Sequence, residues 1–303
     1  MPFRITSILV ASDLSSNSAH VLRSAAAIAA LAESELHVLH VVEEDMFSAA
    51  GPASLHQANM DLEEQVATAL PSSGRTSSTR VERGRAHRVI LDVAEEVAAD
   101  LIVIGPHRNK SAQELGTTAD RLVRTSDVPC LIVHEPITLP LRCVLIPTDL
   151  SDAAEGALDV GLIWSAALRQ PRGSGSQTSV HILLVVPNVP DEAPGEPPHT
   201  FSKRELQRHV ADACERTGCA PSLKIEEEVT EGDPASVILQ RTQDFEADLV
   251  VLGTHGHGAL ARALIGSVSS IVARRAGCPV LLVPPGYWEM RREREERLRQ
   301  HRM

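Results

Sequence analysis

Residues Leu249–Ser270 read LVVLGTHGHGALARALIGSVSS. The apolar run Leu249–Leu252 has the length and composition of a buried strand and stops at Gly253. From Val268 onward the apolar residues Val268, Ile271 and Val272 recur at helical spacing. Gly253, Gly256 and Gly266 therefore lie between a strand and a helix. Such a junction offers unpaired backbone N–H groups at the positive end of a helix dipole, and glycine lets a phosphate come close to them. The run has the form of a phosphate cradle in an α/β protein.

The segment leading into it, VTEGDPASVILQRTQDFEADLVVLG (Val229–Gly253), is echoed by VERGRAHRVILDVAEEVAADLIVIG (Val81–Gly105), with glycine, apolar and Asp positions in one register. A match of that length is a duplication, not a by-product of helical periodicity. The first copy starts with Ile5–Ala11, a β-branched strand ending at Ser12-Asp13, where Ser15 or Ser16 can cap a helix from about Ala19 to Ala32. Strands at Glu35–Val42, Arg75–Arg83 (a polar edge), Leu101–Ile104 and Pro129–Val133 alternate with helices at Leu55–Ala69, Arg88–Ala98 and Gly116–Val123. The second copy restarts at Leu141–Ile146, ends that strand in Pro147-Thr148-Asp149, and continues with a helix over Ala153–Leu168 and a strand over Val180–Val186. Alternation of strand and helix predicts two tandem doubly wound α/β domains. Each is expected to be a parallel five-stranded sheet in the order 3-2-1-4-5, with helices on both faces. The expected divisions are 1–138, 139–286 and a charged C-terminal tail, 287–303.

Extra residues of the second copy fall in Gln170–Ser179 and Pro187–His199, rich in Pro, Gly and Ser and read as mobile surface segments. The link at about His134–Pro140 is short and carries Pro136 and Pro140, so the two halves are expected to pack together. In the tail, Tyr287–Met303, Glu and Arg at three- and four-residue spacings favour a solvated, frayed or partner-dependent helix with almost no apolar face.

Composition narrows the partners. Twenty-nine Lys and Arg against 40 Asp and Glu give a formal charge of −11, which argues against general affinity for nucleic acid or an anionic membrane. No apolar run is long enough to span a bilayer, and Asp13 arrives too early for a signal-peptide core, so a soluble, unexported protein is expected. Cys130, Cys143, Cys214, Cys219 and Cys278 are odd in number and contain no CxxC pair, which speaks against structural disulfides or a zinc knuckle. With aromatic residues at 2%, the cores must be built from Val, Leu, Ile and Ala, as suits a parallel sheet covered on both faces.

Ligands of open parallel sheets bind beyond the carboxyl ends of the strands, where the strand order reverses. That rule sets Asp149 across a crevice from Gly253, a carboxylate for a ribose hydroxyl or base amine opposite a holder of phosphates. The spacing Gly253, Gly256, nine residues, Gly266, Ser267, followed by Val268-Ser269, closely resembles the ATP-binding pattern of the universal stress protein family. The chain is similar to two such domains in series over Arg4–Pro285. The resemblance implies that Pro147, Thr148 and Asp149 contact adenosine, that the Val186 backbone lies beside adenine, and that ATP or ADP, with Mg²⁺, is the ligand. It also implies a bacterial cytoplasmic protein whose halves pair intramolecularly, with room for a homodimer.

The first copy departs from the pattern. Asp13, Val41 and Gly105 remain, but Arg108 stands at the second glycine and only seven residues separate it from Gly116-Thr117. This half is expected to bind ATP weakly or not at all; in the other reading Arg108 and Lys110 hold a different anion.

Plainer readings stand beside these. The glycines can serve only a tight turn; Asp149 and Asp13 can be helix caps, and Ser267 is expected to cap the helix in the free protein and to reach a phosphate when ligand is present. His255 and His257 form an HxH pair without a recognisable set of further metal ligands, His199 and His209 included, and His255 is expected to line the phosphate loop. Cys130 and Cys278 beside prolines read as small buried residues rather than redox sensors. Catalytic phosphoryl transfer needs a positioned cation and a metal-bearing carboxylate, yet Gly253–Ser267 contains no lysine and only Arg262, and no GxxxxGK[ST] occurs. Holding ATP is thus favoured over spending it. The alternatives are an ATP-independent interaction scaffold whose last strands pair across domains, and a slow ATPase or nucleotidyl transferase.

Overall fold

The computed structural model describes residues 5–43, 52–70, 78–106, 115–169, 177–186, 198–255, 265–288 and 290–291. Its first half runs β1 (Ser7–Ser12), α1 (Ser18–Ala32), β2 (Glu35–Val42), α2 (Pro52–Ala69), β3 (Ser78–Arg83), α3 (Ala86–Glu96), β4 (Leu101–Ile104), α4 (Thr117–Thr125) and β5 (Cys130–Ile132). The second repeats the order as β6 (Cys143–Thr148), α5 (Asp152–Ala167), β7 (Thr178–Val186), α6 (Pro198–Thr217), β8 (Leu223–Glu231), α7 (Pro234–Asp244), β9 (Leu249–Gly253), α8 (Ser267–Arg275) and β10 (Val280–Val283).

All ten strands form one sheet in the order β3-β2-β1-β4-β5-β10-β9-β6-β7-β8. Each half keeps the 3-2-1-4-5 order with parallel neighbours. The two five-stranded sheets expected from the repeat merge because β5 and β10 pair antiparallel, Leu131 opposite Leu281. Pairing satisfies backbone groups that two separate sheets would leave at open edges.

Alternate residues of each strand face opposite sides. Ile8 and Val10 join the cluster that receives α1, α2, α5 and α6 through Leu22, Leu62, Leu158 and Leu206. Leu9 joins the one that receives α3, α4, α7 and α8 through Ile90, Leu122, Ile238 and Val272. Both clusters contain residues of both halves, so the join is core and not a surface contact.

Two repeated landmarks have local causes. Gly84 and Gly232 adopt φ of +137° and +144° at the turns after β3 and β8, which side-chain-bearing residues rarely reach. Asp100 and Asp248, each just before a central strand, pin the first strand of their half. Asp100 Oδ2 accepts from Thr6 N (2.6 Å) and Ser7 N (3.3 Å), and Asp248 Oδ2 from Arg142 N (2.7 Å) and Cys143 N (3.0 Å).

Several boundaries differ from the sequence expectation. Neither Ser15 nor Ser16 caps α1; Asn17 holds that position without a side-chain cap bond, while the Ser18 hydroxyl donates to Asp13 Oδ1 at 2.5 Å. Pro187–His199 is not loop throughout, since α6 begins at Pro198, and β7 begins at Thr178 inside the other loop; 170–176 and 187–197 lie outside the described residues. The start of the tail is not solvated: Tyr287 is only 4% exposed and Trp288 packs against the core. Two aromatic rings supply the apolar contact that the charge pattern hid. Among the described residues no helix is long and apolar enough to cross a membrane.

Candidate functional site

In the second half β6 and β9 lie side by side with their carboxyl ends on one edge. Pro147 and Thr148 end β6, and Asp149 turns the chain into α5. Asp149 Oδ1 accepts from Ser151 N (3.1 Å) and Ser151 Oγ (2.5 Å). Ser151 is the cap of α5, its hydroxyl accepting from Ala154 N at 3.2 Å. Asp149 therefore braces the cap rather than being it. Thr148 Oγ1 accepts from Leu150 N at 3.0 Å, which fixes the same turn. Val186 ends β7, and its carbonyl accepts from Gly232 N at 3.1 Å. The corresponding bond in the first half, Gly84 N to Val42 O at 3.2 Å, makes Val42, not Val41, the counterpart of Val186. A strand pattern alone does not resolve a one-residue slip of register.

Across from Asp149, β9 ends at Gly253. A Cβ there would meet Ala153 O at 3.1 Å and His255 O at 3.2 Å, so the close approach of α5's first turn already requires glycine. Gly253 and Thr254 are tied to the start of α8, with Ser269 Oγ donating to Gly253 O (2.6 Å) and Gly266 N to Thr254 O (2.8 Å). Gly266 is the N-cap of α8 and makes no side-chain cap bond. Ser267 is exposed as the first helical residue, so the expected Ser267 cap is absent; a hydroxyl at that position lies past the point from which it reaches the third helical N–H. Val268 is half-buried beside it, and Ser269 is buried. His255 Nδ1 hydrogen-bonds Thr254 Oγ1 at 2.8 Å, whereas Nε2 is buried with no hydrogen-bond partner among the described residues. Buried polar atoms are nearly always satisfied, and the loop that follows His255, residues 256–264, lies outside the described residues. Gly256, His257 and Arg262 lie outside the described residues.

At the same place in the first half, where Arg108 and Lys110 also lie outside the described residues, there is a cavity of about 640 Å³. Asp13, Gly105, Gly116 and Thr117 line it, together with His20 and His40, which sequence reading did not single out. His40 is buried, and its Nδ1–H donates to Ser12 O at 2.8 Å; His20 Nε2–H donates to Val133 O at 3.3 Å. His40 faces Ser12 as Leu184 faces Thr148 in the other half, so aligning the repeats through the strand ends is the signal that exposes it. Beside this cavity, burial and then the positive charges of Arg121, Arg88 and Arg85 hold the His87 pKa below its usual value.

Burial pushes the pKa of Cys130 and of Cys278 up to about 12, and all five cysteines are free. Among the described residues no group of three or more His, Cys, Asp and Glu is placed to hold a metal.

A model of the universal stress protein family matches residues 4–134 and again 141–284. A universal stress protein of Mycolicibacterium smegmatis is 28% identical over 300 residues, covering 92% of this chain and 97% of that protein. One of Methanocaldococcus jannaschii is 34% identical over 149 residues, 46% of this chain and 80% of that protein. The crystal structure of a universal stress protein from Archaeoglobus fulgidus superposes with a TM-score of 0.67 at 20% identity, covering 94% of this chain and 98% of that one, and so shares its fold.

Proposed function

Because the chain belongs to the universal stress protein family, with two of its domains in tandem, we propose that it is an ATP-binding stress-response regulatory protein. It holds one nucleotide per chain, in the second half, with little or no hydrolysis. The observation that supports this reading is His255 Nε2, buried with no hydrogen-bond partner among the described residues, next to the Gly253–Ser269 bond and across from Asp149. In this reading Pro147, Thr148, Asp149 and the Val186 backbone take the adenosine part. Gly253, Gly256, Gly266, Ser267, Val268 and Ser269 take the phosphates, and His255 Nε2 bonds the ligand or its bridging water. Mg²⁺, bound with ATP, would neutralise phosphate charge; lysine is missing from the run and GxxxxGK[ST] from the chain, which supports retention over turnover. In this reading the domains divide at 138/139, with the tail from 287, and the second domain is the one that binds. The first half, lacking the second glycine, takes ATP weakly or not at all despite its cavity.

Two measurements test this. Saturating ATP with Mg²⁺ is expected to raise the melting temperature, since a ligand at one hundred times its dissociation constant adds about 2.7 kcal/mol of stability; an unchanged melting temperature sinks the reading. Calorimetric titration of the full chain is expected to give one ATP per chain and Gly256→Trp to abolish it, whereas two equivalent sites would overturn the assignment to one half.

A second reading is an ATP-independent interaction scaffold whose last strands, β5 and β10, pair across the two domains. That pairing is intramolecular and uses up both strand edges, so a scaffold would have to recruit partners elsewhere. It predicts no functional effect of Gly256→Trp.

A further inference from the structure

The C-terminal arm joins the carboxyl edge of the second-half sheet, beside Gly253, to the base of the first. It starts at Val283, which pairs with Gly253 and whose carbonyl accepts from Thr254 N at 2.9 Å. Thr254 O in turn accepts from Gly266 N at 2.8 Å, so Val283 is one residue's hydrogen bonds away from the start of α8. Pro284 and Pro285 leave little backbone freedom, and Gly286, at φ +70°, turns the chain into a helical turn closed by Met290 N to Gly286 O at 3.1 Å. Tyr287 then sinks into the core, and Arg291 reaches the first half. Its Nη1 donates to Asp100 Oδ1 at 2.7 Å and to Tyr287 Oη at 3.1 Å.

Asp100 is the carboxylate whose other oxygen holds Thr6 and Ser7 at the start of β1. The repeat shows what is unusual. In the second half the equivalent Asp248 receives its guanidinium locally, from Arg142 at 3.2 Å. Thr6 stands in the place of Arg142, and Arg291 supplies the missing cation from the far end of the chain. The pair is buried, the two side chains being 12% and 9% exposed, which fixes its geometry far better than a surface contact would.

We infer that residues 284–288 with Met290 and Arg291 act as a strap through which ligand at the carboxyl edge of the second-half sheet tightens the first-half sheet, with Arg291 as its positioning residue. This rests on the nucleotide reading above. A ligand that holds the segment around Thr254 also holds Val283, and the prolines pass that constraint to Tyr287 and Arg291. Coupling of this kind is reciprocal: loosening the strap must weaken the ligand.

The test is hydrogen exchange of the full chain with and without ATP and Mg²⁺, in wild type, Arg291→Ala and Arg291→Lys. The Thr6 and Ser7 amides, bonded to Asp100, are the reporters. ATP is expected to slow their exchange in wild type, to lose that effect in Arg291→Ala, and to keep part of it in Arg291→Lys. ATP affinity is expected to fall roughly threefold to tenfold in Arg291→Ala, the size of a modest coupling. Reporters that ignore ATP in wild type, or respond equally without Arg291, overturn the strap. If ATP also fails to protect 249–255 and 265–270, the nucleotide reading itself is at fault and the strap falls with it; protection there without a response at Thr6 and Ser7 condemns the strap alone.

Discussion

At the scale of single residues, His255 carries a conflict between folding and binding. Its Nε2 is buried with no hydrogen-bond partner among the described residues, so removing it relieves a desolvation cost, while removing the ring also takes away the Thr254 hydroxyl's partner. His255→Ala is therefore expected to leave the denaturation midpoint within about 1 kcal/mol of wild type, yet to weaken ATP severalfold in calorimetric titration; strong destabilisation with unchanged ATP affinity would mean the ring is purely structural. Gly253→Ala behaves differently, since its new Cβ would press on the backbone oxygens of Ala153 and His255. A loss of about 1–3 kcal/mol is expected in chemical denaturation. Cys130 and Cys278 make a pH prediction. Their folded pKa values, raised to about 12, mean that the native state keeps both protons where the unfolded chain, titrating near 9, loses them. Their contribution to stability is fully present below pH 9 and is lost as pH rises toward 12, at about 1.4 kcal/mol per pH unit for each thiol. Comparing urea midpoints of wild type and the Cys130→Ala, Cys278→Ala double variant across pH 8–11 should show this difference shrinking; a constant difference would exclude it.

At the scale of elements, the hydrogen bonds that pin each first strand differ between the halves in their source of positive charge. Asp248→Asn is expected to cost about 2–3 kcal/mol, because it weakens charge-assisted bonds to Arg142 and Cys143, as read from a denaturation curve; a cost under 0.5 kcal/mol would deny Asp248 its role in holding β6. The strands, most helices and the sheet order were legible in the sequence because apolar runs such as Leu249–Leu252 and Leu101–Ile104 end at glycine and recur in register. Asp149 opposite Gly253 was legible for the same reason, from strand order alone. What escaped were matters of one residue or of long range. Asn17 and Ser151 as the helix-start residues, and Val42 rather than Val41, depend on turn geometry that serines and valines in a row do not distinguish. The burial of Tyr287 and the reach of Arg291 to Asp100 depend on which half lies next to the arm, and no local pattern carries that.

At the scale of the whole molecule, the two apolar clusters each run through both halves, so the halves share one core on either face of the sheet. A single unfolding transition is expected, with Trp fluorescence, which reports the buried Trp164, and far-ultraviolet circular dichroism giving coincident denaturation curves. Separate midpoints would show that the repeats unfold independently. Leu281→Ala, at the β5–β10 pairing, should lower the unfolding free energy by about 2–5 kcal/mol while keeping one transition. The antiparallel pairing has a further effect. Since strands within each half are parallel but the halves run oppositely, the carboxyl ends of the first-half strands, where the cavity lies, and those of the second-half strands point to opposite ends of the sheet.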